Sequence, residues 1–196
     1  MRLENQTGIG LKHGGDGEMI IKYKDVVLRA IEENDLELLK EMINDPEIET
    51  MTGGYSFPVS TFQQKKWFEG LSSRKGELRL IIETTEHGAI GLVMLTGMDW
   101  KNRTTEIHSK ITSRNNIRGK GYGTQASEAL IRYAFKQLNF HCVYTYSIDY
   151  NIASQRVLEK CGFKREGALR ERIYKDGKHH NVTVWSILSD ELMSKE

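Results

Sequence analysis

The sequence predicts a mixed α/β domain. Segments of helical periodicity and of strand-like alternation take turns along the chain, and Gly, Asn and Asp signals separate them at short intervals. No internal repeat or low-complexity run interrupts the pattern, so one compact unit over residues 19–196 is expected behind a loose arm at 1–18. Hydrophobic residues at 38% and charged residues at 28% are an ordinary soluble composition. A formal net charge of +1 gives no electrostatic drive toward nucleic acid or an anionic membrane. No stretch approaches about 18 consecutive apolar residues and the N-terminus lacks an apolar signal core, so a cytoplasmic protein is expected. Cys142 and Cys161 are too few for a disulfide framework and lack metal-ligand spacing, and no metal site is expected.

The elements follow in order. MRLENQTGIGLKHGGDGE (1–18) is Gly-rich and polar, with one short strand to be placed around Met19 to Lys22. VVLRAI (26–31) alternates as a strand. Leu36, Leu39, Met42 and Ile43 recur at helical spacing behind Asn34 or Asp35 as cap. Asp45-Pro46 reads as an N-cap with Pro at the first helical position, so a short helix follows. Ser60 with Gln63 has capping-box spacing, and its helix should run to about Leu71. ELRLIIET (77–84) and GAIGLVMLTGM (88–98) are two strands about a tight turn at 86–88, and TTEIHSKIT (104–112) is a third. A long helix through about Leu138 comes next, then the β-rich HCVYTYSID (141–149). A helix starting at Asn151 ends at Gly162, a C′ glycine. Two last strands, at about 163–173 and 181–188, flank the hairpin signal Asp176-Gly177.

The stretch NIRGKGYGTQASEAL (116–130) places three glycines at the mouth of the long helix. A helix mouth exposes unpaired N–H groups and the positive end of the macrodipole, and glycines let a large anion approach the backbone. Arg118 and Lys120 add formal charge, so a phosphate or pyrophosphate site around 118–124 is expected. The spacing is not Walker A, because Gly121 follows Lys120. It is not the Rossmann fingerprint either, since Thr124 stands at the third glycine position and the loop follows a late strand.

Arg118-x-x-Gly121-x-Gly123 resembles the acetyl-CoA loop of the GCN5-related N-acetyltransferases, the GNAT superfamily. NIASQRVLEKCGFKREG (151–167) resembles that family's Asn-x-x-Ser/Ala helix with its Gly-Phe ending, here Asn151, Ser154, Gly162 and Phe163. With the basic strand that follows, it looks most like the RimJ/RimL-like branch that acetylates ribosomal-protein alanines. The resemblance implies a mostly antiparallel sheet of six or seven strands, about four flanking helices, and one parallel pair, 104–112 with 141–149, that splays apart. It implies acetyl-CoA as cosubstrate, with pantetheine in the notch and pyrophosphate on the backbone of Gly119, Lys120, Gly121, Tyr122, Gly123 and Thr124 beside Arg118. Backbone N–H groups of Ile111, Thr112 and Ser113 would orient the acetyl carbonyl. Asn151 would contact pantetheine, while its local reading is a plain N-cap.

Direct transfer to an amine needs a base and an acid. By the resemblance Glu106 is the base, acting through water, and Ser154 the acid. His108 shares the Glu106 face and is a weaker candidate. A tyrosine that many relatives use as acid is replaced by Leu158, which leaves Tyr146, Tyr150 and Tyr174 as fallback phenols. Cys142 and Cys161 read as buried thiols, and His179-His180 as solvated hairpin residues, since strand neighbours point to opposite faces. Met94, Met98, Trp67 and Phe68 line either core or acceptor groove. Lys164, Arg165, Arg170 and Arg172 form a basic strand, most simply a solvated sheet face. The expected partners are acetyl-CoA and an amine acceptor: a protein N-terminal α-amine, a polyamine, an amino sugar or another small amine. A homodimer is expected by analogy alone. A non-catalytic acyl-CoA sensor and a nucleotide-phosphate site unrelated to CoA are the rival readings.

Overall fold

The computed structural model describes residues 10–13, 19–54, 57–114 and 117–193. Within them the chain forms β1 (Gly10–His13), β2 (Met19–Tyr23), β3 (Val26–Arg29), α1 (Leu36–Asn44), α2 (Pro46–Met51) and α3 (Thr61–Glu69). It continues with β4 (Leu78–Thr84), β5 (Gly88–Asp99), β6 (Thr104–Ile111), α4 (Tyr122–Lys136), β7 (Cys142–Ile148) and α5 (Ile152–Cys161). It ends with β8 (Lys164–Lys175), β9 (Lys178–Leu188) and α6 (Ser189–Met193). The mixed α/β class is as expected, with nine strands rather than six or seven, in the order β1-β2-β3-β4-β5-β6-β7-β9-β8. The surplus lies at the N-terminal edge, where β1 and β2, four and five residues long, extend the sheet beyond β3. β2 is the short strand expected around Met19 to Lys22, whereas the four residues of β1 carry too little alternation to stand out in sequence. Gly10–His13 thus pairs within the span expected as an arm, while 1–9 and 14–18 lie outside the described residues. Six helices stand where the resemblance implied about four: α2 is the short helix expected after Asp45-Pro46, and α6 is only five residues long.

The sheet is covered on both faces, which explains why β4 and β5 read as nearly continuous apolar runs. Leu80, Ile82, Val93, Leu95 and Ile107 pack with Ala126, Leu130 and Phe135 of α4 and with Leu158 and Cys161 of α5. Ile81, Leu92 and Met94 face the other way, against Leu39 of α1 and Trp67 of α3. Trp67 and Met94 therefore belong largely to this second core.

The local signals hold in detail. Asp45 caps α2 by accepting the N–H groups of Glu47 and Ile48 at 2.8 and 3.4 Å. Ser60 and Gln63 close the expected box at 3.2 and 2.9 Å. Gly162 is left-handed at φ +90°, and Asp176 and Gly177, at +48° and +79°, make the tight β8–β9 turn. Asp35 stands at the N-cap of α1 as expected, but its side chain caps no amide of that helix: it is buried, receives Arg29 through two hydrogen bonds of 2.7 and 2.9 Å, and accepts the Glu32 N–H at 2.8 Å. No helix among the described residues is long and apolar enough to cross a membrane.

All neighbouring strands are antiparallel except β6 and β7. These two pair only at Thr104–Cys142, Thr105–Val143 and Glu106–Tyr144. Beyond that rung β6 stays on β5 as far as Ile111, and β7 stays on β9 as far as Ile148. The two strands therefore part company while each remains bonded on its outer side, which is the expected splay.

Candidate active site

The parting of β6 and β7 opens a cavity of about 1150 Å³. Most of the residues expected at a site line it together: Glu106, Ile111, Arg118, Gly119, Gly121, Tyr122, Gly123, Thr124, Asn151 and Ser154. Thr112, Ser113 and Lys120 do not. Thr112 is buried, and its N–H is already donated to the Ile90 carbonyl at 2.9 Å. Ser113 gives its hydroxyl hydrogen to Asp45. Lys120 turns to His87 Nε2 at 3.1 Å and Glu86 at 3.6 Å.

At one end lies the mouth of α4. Gly121 occupies its N-cap at φ +87°, and no side chain caps the helix. The first-turn amides thus lack the side-chain acceptor that caps α2, α3 and α5, and they face the cavity instead. A methyl placed on Gly119 or Gly121 would meet no protein atom within 4 Å, so the space over the mouth is open. Arg118 of this loop lines the cavity, as do Arg156 and Lys160 of α5. An anion of pyrophosphate size and charge fits this cradle.

At the other end stands Glu106, on the last rung before the strands part, with its side chain 22% exposed. His108 Nε2 lies 3.3 Å from the Glu106 carboxylate and 3.1 Å from Thr96 Oγ1, so the two candidates form one small network. Opposite Glu106, burial first and the nearby Glu106 charge second push the Tyr144 phenol above its usual range. Tyr146, one turn of the pleat further, is 44% exposed and lines the cavity. Its position on the open rim brings this phenol nearer to the site than Tyr174, which lines a separate pocket of about 790 Å³ with Phe57 and Asp176. Tyr150 is committed, donating to the Thr50 carbonyl at 2.5 Å.

Asn151 is the expected cap, and its amide nitrogen is engaged as well. Its Oδ1 accepts the Ser154 N–H at 3.0 Å as the cap of α5, and its amide nitrogen donates to the Met51 carbonyl at 2.8 Å. The Ser154 hydroxyl lines the cavity with no hydrogen bond among the described residues. Cys161 is buried against the Thr124 carbonyl, and burial raises the Cys142 thiol above its usual range. His179 and His180 pack edge-on to Tyr174 and Tyr150.

Helix α2 is the site element that sequence reasoning missed. It lies along the cavity and is tied to each wall. Glu47 pairs with Arg118, Asp45 with Ser113, and Glu49 with Lys175, whose ammonium also donates to the Glu49 carbonyl at 3.1 Å. The Ser113 hydrogen bond, followed by the Glu47 and Ile48 amides, holds Asp45 below the usual carboxylate range. The available signal was the acidic pair Glu47 and Glu49 in so short a helix, and partners more than 60 residues away gave it no local meaning.

Comparison with known proteins agrees with this geometry. Residues 25–164 match the family described as the acetyltransferase (GNAT) domain. A spermidine N(1)-acetyltransferase of Vibrio cholerae is 26% identical over 171 residues, covering 87% of this chain and 96% of the relative. A putative ribosomal N-acetyltransferase of Bacillus subtilis is 36% identical over 101 residues, but this covers only 52% of this chain and 54% of the relative. Among solved structures, spermidine N-acetyltransferase from Vibrio cholerae in complex with CoA and spermine superposes with a TM-score of 0.80 at 25% identity. That match covers 86% of this chain and 98% of the other. The matched span includes the glycine mouth, Glu106 and the Asn151 helix, and the chain belongs to the GNAT acetyltransferase family.

Proposed function

We propose that this protein transfers the acetyl group of acetyl-CoA directly to the nitrogen of a primary amine within the β6–β7 cavity. The carrying observation is continuity: one cavity joins an uncapped, glycine-lined helix mouth to a half-buried carboxylate across the point where two parallel strands separate. The Vibrio relative, named for spermidine and solved with CoA, supports the same reaction class.

Acetyl-CoA supplies the activated acyl group. The Tyr122, Gly123 and Thr124 amides with Arg118 hold its pyrophosphate end, and Asn151 meets the arm that reaches inward. For this, Arg118 must exchange Glu47, and the Asn151 amide must exchange the Met51 carbonyl, for the cosubstrate. Glu106 takes the proton from the acceptor ammonium, directly or through water, with His108 fixing its carboxylate. Ser154 returns a proton to the departing thiolate, and Tyr146 is the nearest alternative donor. The RimJ/RimL-like assignment rests on the basic strand and on the partial ribosomal relative; the fuller match is to the polyamine enzyme.

Calorimetry with acetyl-CoA and thiol release with a panel of amines test this reading. Binding followed by amine-dependent release of CoA is expected. Binding with no release for any amine would make the protein an acyl-CoA sensor, and a larger thermal shift with ATP or NAD than with acetyl-CoA would remove CoA altogether.

A further inference from the structure

Strand β6 carries Glu106, His108 and Lys110 on one face and Ile107, Ser109 and Ile111 on the other. The odd-numbered face meets α4: Ile107 lies in that core, and Ile111 and Ser109 stand 3.6 and 4.0 Å from where a Gly123 Cβ would be. Lys110 therefore points away from the phosphate cradle, onto the side that holds Glu106. Its ammonium lies against the Gly53-Gly54 chain after α2, 3.9 Å from where a Gly54 Cβ would stand.

The carboxylates around it are engaged by other groups. Glu47 is bound to Arg118, Glu106 contacts His108, Glu49 holds Lys175, and Glu77 holds Arg79 at 2.9 Å. Lys110 has no carboxylate or hydrogen-bond partner among the described residues, although it lines the cavity with Arg79 and Arg172. Burial, then repulsion from Arg79 and Lys175, depress its pKa. A half-buried cation beside two others is a place that an anion stabilises. A bare polyamine would bring further positive charge there.

We propose that the acceptor is a small amine bearing a carboxylate, received by Lys110 with Arg79 nearby while the amine faces Glu106. The proposal rests on the acetyl-transfer reading above. Small size follows from α2, which stays held by Ser113 at Asp45, by Tyr150 at the Thr50 carbonyl and by Lys175 at Glu49, and walls the cavity. Glu106 and Lys110 are four residues apart on an extended strand, about 13 Å between Cα atoms. That spacing favours an amine and a carboxylate separated by several bonds over a pair sharing one carbon.

Matched acceptors that differ in the carboxylate test it: lysine against cadaverine, ornithine against putrescine, and γ-aminobutyrate against butylamine, with spermidine alongside. The carboxylated member of each pair is expected to show kcat/KM at least about tenfold higher, mostly through KM. Lys110→Met should bring each ratio close to one, and Lys110→Arg should preserve it. Preference for the diamines or spermidine, or a ratio that survives Lys110→Met, would overturn the proposal while leaving acetyl transfer intact. Failure to bind acetyl-CoA by calorimetry, with no transfer to any amine, would overturn the parent reading and this one with it.

Discussion

Gly91 lies in β5 opposite Ile111, at the far end of the stretch of β6 that has left its parallel partner and lines the cavity. A methyl there would overlap the Lys110 carbonyl oxygen and stand 3.2 Å from both Cα and Cδ1 of Ile111. The obstacle is backbone, so no side-chain rotation relieves it. One strand must move by roughly 1 Å to restore ordinary contact. Overpacking a well-filled site costs about 1–3 kcal/mol, and a backbone obstacle puts Gly91→Ala at the upper end, roughly 3 kcal/mol. For a chain of this size that is a fall in Tm of about 6–12 °C. The displaced segment carries Lys110 and Ile111 and ends four residues from Glu106, so transfer should fall about 100-fold, as a 1 Å misplacement commonly costs. The matched control is Gly167→Ala in β8, where an added methyl meets nothing within 4 Å and φ is not positive. It should be neutral or slightly stabilising. Differential scanning fluorimetry and thiol-release kinetics on both variants suffice. If Gly91→Ala matched the wild type in Tm and turnover, the close β5–β6 approach would not shape the site.

Four further outcomes are expected. Glu106→Gln should lower turnover about 10²- to 10⁴-fold, most severely at low pH where the acceptor ammonium most needs a base; kcat/KM unchanged across the pH range would reject the base role. Ser154→Ala should slow transfer with acetyl-CoA affinity nearly intact, and a defect confined to affinity would contradict the acid role. Gly121→Val should lose acetyl-CoA binding in calorimetry, because the side chain enters the open space over the helix mouth at a φ of +87° that strains a branched residue by about 1–2 kcal/mol or more; retained affinity would refute the cradle. The fourth concerns Lys110, whose folded-state pKa lies below the ordinary 10.5. Between those two values the unfolded chain holds more protons than the folded one, so this group's penalty is full below the folded value and fades as pH rises toward 10.5. Lys110→Met should therefore raise Tm at neutral pH, with a gain that shrinks on alkalinisation. A pH-independent gain would trace the effect to packing.

Local chemistry was legible in advance. The Ser60–Gln63 box, the Asp45-Pro46 helix start, the left-handed Gly162 and the Asp176-Gly177 turn are satisfied within a few residues. So is the helix mouth at Gly121, because free amides and a positive φ are properties of the backbone segment itself. Asp35 holds the N-cap position of α1 but makes no side-chain cap bond to it, for the opposite reason. Arg29 competes for that carboxylate from the neighbouring strand and holds it through two hydrogen bonds.

By itself the sequence determined the mixed α/β order, the glycine-lined mouth of α4, the face shared by Glu106, His108 and Lys110, and the Asn151 cap. Each depends on short-range periodicity or backbone geometry. The tertiary structure alone decided that Arg118 meets Glu47, that Ser113 meets Asp45, that Asn151 is held by Met51, and that α2 therefore walls the cavity. It also decided that Lys110 is left without a counter-charge among the described residues while Arg79 takes Glu77 and Lys175 takes Glu49. Charge pairing depends on distance in space, and these partners lie about 70 to 126 residues apart in the chain. No local pattern encodes which of them will meet.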